Sequence, residues 1–130
     1  MAVGLASAVA AGLLDALANQ TNYTAPTALW IKLHIGDPGS AGTSNAATET
    51  TRKDITASFA AASGGTCTTN ADTTWTNVAA TEDYTHYTIW SASSGGTFYW
   101  SGTVTASAVT AGDTFTIAAA DLDLSLSTAA

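Results

Sequence analysis

Basic residues are almost absent from this chain. Three of its 130 residues are Lys or Arg, against ten Asp or Glu, for a net charge of -7. Lys32, Arg52 and Lys53 are too few to neutralise a run of phosphates, which argues against nucleic acid as a partner. The negative excess also repels an anionic membrane surface. Charge of either sign is scarce, at 10% of residues, against about 25% in an ordinary globular domain. The surface is therefore clothed in threonine, serine and small side chains, which lose less than ions do when another protein covers them.

Cysteine is represented once, by Cys67. No intrachain disulfide can form, which suits synthesis in a reducing cytosol. No base or cation lies near Cys67 in sequence to lower its pKa, so it reads as a small half-buried strand residue. The apolar run over 2–18 lacks the early Lys or Arg of a secretion signal. Asp15 interrupts it, and it is too short for a comfortable membrane span. It reads as a helix.

What fills the chain is alanine and threonine, together roughly 40% of it. Within that background several short runs alternate with period two. Leu29, Ile31, Leu33 and Ile35 alternate with Trp30, Lys32 and His34. Leu122, Leu124 and Leu126 alternate with Asp121, Asp123 and Ser125. A strand sends successive side chains to opposite faces, so each run predicts one apolar and one wet face.

Leu5, Val9, Leu13 and Leu17 recur at helical spacing over 3–18, with Asn19 as a stop. So few polar positions remain that the helix is expected to be buried on most sides, against a neighbouring subunit as well as its own sheet. Strands are predicted over 28–35, 54–60, 66–70, 73–78, 84–92, 97–105, 114–118 and 121–127. Turns fall at Gly36-Asp37-Pro38-Gly39, Ser63-Gly64-Gly65, Ser93-Ser94-Gly95-Gly96 and Ala111-Gly112-Asp113. Residues 40–51 show no periodicity and read as an exposed, unanchored loop. Short strands at regular spacing indicate a mainly β fold, an antiparallel β-sandwich with one N-terminal α-helix. The expected organisation is an assembly helix over 1–20 and a sandwich over 21–130, forming one domain.

No catalytic constellation emerges. There is no G-x-S-x-G elbow for a serine nucleophile, and His34 and His86 are isolated, without metal-ligand spacing. No catalytic residue, metal or cofactor is therefore expected. Aromatics are the one generous resource. Trp30, Trp75, Trp90 and Trp100 either supply volume to an alanine-rich core or interface, or present faces to a sugar.

Leu33-His34-Ile35-Gly36-Asp37-Pro38-Gly39, Phe59-Ala60-Ala61-Ala62-Ser63-Gly64-Gly65 and Trp75-Thr76-Asn77-Val78 resemble a family of small structural proteins of tailed phages, notably those of actinobacteria. The run from Tyr84 through Trp90 to Gly96, and Ala111-Gly112-Asp113-Thr114-Phe115-Thr116-Ile117, resemble it too. Its members are often labelled tail-fibre or minor tail proteins. The order and spacing of these turns carry the resemblance over most of the chain. It implies a non-enzymatic protein of the virion surface. The expected roles are capsid decoration, head fibre or small tail fibre, with the small size leaning toward the head. Its partners would be its own copies, with a trimer fitting, and a major capsid or tail protein. Leu5, Val9, Leu13 and Leu17 are the expected assembly contacts. The alternative is a carbohydrate-binding module reading the host envelope through the four tryptophans.

Overall fold

The structure is a computed structural model that describes residues 3–129. The outer ends of the two expected segments, at residues 1, 2 and 130, lie outside that range. Helix α1 (Ser7–Ala18) precedes eight strands. These are β1 (Trp30–His34), β2 (Lys53–Asp54), β3 (Thr66–Thr68), β4 (Thr73–Trp75), β5 (Glu82–Trp90), β6 (Phe98–Val109), β7 (Phe115–Ile117) and β8 (Asp123–Ser125). Four of them form an antiparallel sheet in the order β2-β1-β5-β6. The others form two antiparallel ribbons, β3-β8 and β4-β7. The fold is mainly β, as the alternation predicted.

The core grows from cross-strand pairs. Ile31 faces Ile89 and Leu33 faces Tyr87 across β1 and β5, and all four are at most 2% exposed. The β4-β7 ribbon closes on them with Trp75, Phe115 and Ile117. The Phe115 ring lies 5.0 Å from Tyr84 edge-on and 5.8 Å from Trp75. Leu122 is buried in the same cluster, and Leu124 packs partly against it. Burying each such side chain contributes about 1.5–3 kcal/mol. Gly102 is required by packing. A Cβ there would sit 2.5 Å from the Tyr87 ring and hydroxyl.

The opposite face of the sheet is not wet. His34 and Thr88 are fully buried, and Trp90 is nearly so. The segment 36–52 folds back over them. Ile35 N–H donates to the Asn45 carbonyl and Ala47 N–H to the Leu33 carbonyl. Ala47 enters the core and Glu49 is 7% exposed. Gly42 rests so close to the Phe98 ring that a Cβ would fall 2.7 Å from it. The expected unanchored loop over 40–51 is therefore pinned at three points, although Thr43 itself is exposed. Small residues hid this, because alanine and glycine give no hydrophobic period to read.

Three other expectations are corrected. The strand expected over 54–60 is only two residues long. Asp54 accepts from Thr56 N–H and the chain turns there, leaving Ala57 exposed. The helix starts at Ser7, four residues later than predicted. Residues 4–6 instead lie along β6, with Ser101 N–H donating to the Gly4 carbonyl and Ala6 N–H to Tyr99. Of the three C-terminal leucines, Leu122 is buried and Leu126 is 53% exposed, because the β3-β8 ribbon ends before anything covers Leu126.

The acids have a structural use. Six of the ten accept main-chain N–H bonds. Asp37 holds Gly39, Glu82 holds Thr48 and Glu49, and Glu49 holds Thr51 and Ala79. Asp54, Asp72 and Asp113 hold Thr56, Ala119 and Thr110. Carboxylates fasten loops here in place of cations, and hydrogen bonds to an ionised acceptor are the stronger kind.

Candidate assembly surfaces

Helix α1 has two unlike sides. Val9 is buried, Gly12, Leu13 and Ala16 are half-buried, and together they make an inner stripe at helical spacing. Gly12 lies against the Tyr23 ring, where a Cβ would stand 3.2 Å away. Burial and the nearby Tyr99 raise the Tyr23 pKa. The outer side carries Leu14, 64% exposed, and Leu17, 78% exposed, one turn apart. No strand packs along the length of α1. Its only charge is Asp15, which accepts from Asn19 at the C-terminal end.

The four residues expected at an assembly interface thus divide. Leu5 pairs with Trp100 in an isolated bridge, and Val9 and Leu13 turn toward their own chain. Leu17 points outward. Leu14 joins it, a residue that the stripe through 5, 9, 13 and 17 passes over. The helical spacing alone could not decide which of two neighbouring stripes would turn toward the rest of the chain.

The second apolar surface is a hollow between β3, β6 and β8. Ala62, Cys67, Trp100, Leu124 and Leu126 line it, its volume is about 210 Å3, and its open surface is apolar throughout. It is held in shape by the Leu126 N–H donating to the Gly65 carbonyl and by the Cys67 thiol on the Ala60 carbonyl. On the other side of Trp100 runs a more polar groove of about 390 Å3, lined among others by Tyr87, Thr103, Asp121, Asp123 and Ser125. Burial pushes the Tyr87 hydroxyl well above the ordinary tyrosine range, with Trp100 pulling the other way and Asp123 adding to the rise.

The four tryptophans are not brought together at one surface. Trp75 is 1% exposed and donates its indole N–H to the Thr51 carbonyl. Trp90 is buried between Phe98, 5.4 Å away, and the Arg52 guanidinium, 4.5 Å above its ring. Neither has an open ring face to offer a sugar. Trp30 and Trp100 are half-buried. Arg52 also donates to the Ala92 and Gly95 carbonyls, which fixes the hairpin turn.

The histidines are held by hydroxyls and a carbonyl. His34 lies between the Ser44 carbonyl and the Thr88 hydroxyl, and His86 meets the Thr85 hydroxyl. Among the described residues no group of three or more His, Cys, Asp or Glu converges on a point where a metal ion would sit. No helix there is long and apolar enough to cross a membrane.

No curated protein matches the chain. A family comparison matches residues 4–125 to the family described as podophage GP4 fiber I protein gp80. The match takes in α1, all eight strands and most of the chain's length, and on it the chain belongs to this family of phage fibre proteins.

Proposed function

We propose that this protein is a non-enzymatic fibre subunit on the exterior of a bacteriophage particle, that it works as a homo-oligomer, and that it docks to a capsid or tail protein. The observation that carries the self-assembly is the outer side of α1. Two leucines there stand in water, on a helix along which no strand of its own chain packs. Covering both would contribute several kcal/mol, at about 1.5–3 kcal/mol each. The family description names a fibre, which supports a fibre over a head-decoration or minor tail subunit. The burial of His34 between two hydrogen-bonding partners supports a scaffold role, since a base must reach a substrate to work.

Gold-labelled antibody on intact particles tests the placement. Label along slender appendages supports the reading. Label spread evenly over the capsid faces makes the protein a decoration subunit, and no label on intact particles contradicts an exterior position.

One observation favours a second reading, saccharide binding. Trp100 stands between the hollow and a groove carrying Asp121, Asp123, Thr103 and Ser125. An indole beside carboxylate and hydroxyl acceptors suits a neutral sugar, whose C–H face stacks while its hydroxyls donate. Glycan-array binding lost in Asp123→Asn, with the melting temperature unchanged, would support it. A blank array contradicts it.

A further inference from the structure

We propose that α1 of one copy seats Leu14 and Leu17 in the hollow of the neighbouring copy, against Cys67, Trp100, Leu124 and Leu126. This rests on the self-assembly proposed above and names its contact. Two apolar surfaces on one small chain are uncovered. One is convex, the helix side with Leu14 and Leu17 at 64% and 78% exposure. The other is concave, a hollow with no polar atom on its open surface. Leu126, at 53% exposure, lies in its wall.

Charge selects the occupant. Each copy carries a net charge of -7, so copies repel unless they meet where charge is missing. The lining of the hollow contains no charged residue, and α1 contains only Asp15. The helix side and the hollow are both apolar, with one charge between them. The helix does not fill its own hollow. Leu5 bridges to Trp100 at the hollow's edge, yet the helix that follows leaves Leu17 in solvent. The hollow of another copy offers it a concave apolar seat. A helix on one copy and a hollow on the next is a heterologous contact, which generates a ring or a filament by repetition. Either suits a fibre.

Cys67 lies in the hollow and is the only cysteine of the chain, so it reports on its own occupant. In Leu17→Cys, and separately in Leu14→Cys, mild oxidation should join the introduced thiol to Cys67 of another copy. Peptide mapping would identify the bond, and Cys67→Ser in the same background should abolish it. A disulfide needs Cα atoms within about 7 Å, so the bond forms only if the helix sits there. Thr43→Cys, on an exposed loop, should give no bond to Cys67. Oligomers in which the introduced thiols join only each other, or join nothing at both positions, overturn this contact and leave self-assembly standing. A wild-type protein that stays monomeric in sedimentation overturns both.

Discussion

The Thr88 hydroxyl and His34 Nε2 are 2.9 Å apart, and the proton between them belongs to Thr88. The Ser44 carbonyl, 2.8 Å from His34 Nδ1, can only accept, so Nδ1 carries the ring's hydrogen. Nε2 is left as an acceptor. Thr88 in turn accepts the Trp90 indole N–H at 2.7 Å. The chain of donors runs from Trp90 through Thr88 and His34 to Ser44, under a loop that seals it from solvent.

This arrangement makes stability depend on pH. Burial holds the His34 pKa below its ordinary 6.5, against the pull of the Ser44 carbonyl and with help from Lys32. The unfolded chain therefore binds a proton as pH falls through about 6.5 while the folded chain does not. The stability due to neutral His34 is fully present above that pH and is lost as pH falls toward the folded pKa. Denaturant midpoints should decline from pH 7.5 to 5.5 in the wild type. They should decline less in His34→Gln, from a lower starting value. Parallel slopes would refute the assignment.

The C-terminal leucines should behave unequally. Leu122, 2% exposed, should cost about 2–5 kcal/mol when cut to alanine. Leu126→Ala, measured on the monomer at low concentration, should cost less than about 0.5 kcal/mol. Thermal melts of the two variants check this, and equal losses would mean that Leu126 is covered in solution.

Glu49 tests the carboxylates as loop fasteners. Its side chain, nearly buried, accepts from Thr51 and Ala79 N–H. Glu49→Ala leaves both donors without it and should cost about 1–3 kcal/mol. Asp83, which is exposed, should change by less than about 0.5 kcal/mol as Asp83→Ala. Chemical denaturation of both variants makes the comparison.

Gly102→Ala should destabilise by about 1–3 kcal/mol through overpacking, because the Tyr87 ring occupies the space a Cβ needs. Differential scanning calorimetry would show it. An unchanged melting temperature would mean that the ring moves aside without cost.

The strands were legible wherever a large side chain recurred every second residue. Ile31 and Leu33 announced β1, and the run from Tyr84 to Trp90 announced β5. Local turn chemistry was partly legible too, at Asp37 and Gly39. Glu49 and Thr51, and Asp54 and Thr56, are acid-to-donor pairs at the same spacing that the reading of a loop over 40–51 and a strand over 54–60 passed over. What stayed hidden depended on neighbours distant in sequence. His34 is buried because residues 44–47 return over it. Residues 4–6 are extended because β6 offers them an edge. Leu14, not Leu13, faces outward because the Tyr23 side of the helix was taken.

Sedimentation equilibrium of the wild type beside the Leu14→Asp, Leu17→Asp double variant tests the central claim most directly. The wild type should sediment as a multiple of its 13.0 kDa chain. The variant should sediment as a single chain with unchanged helix content by circular dichroism. The substitutions lie on exposed positions, so the fold should survive them. A wild type that remains at 13.0 kDa, or a variant that keeps the wild-type mass, would contradict assembly through α1.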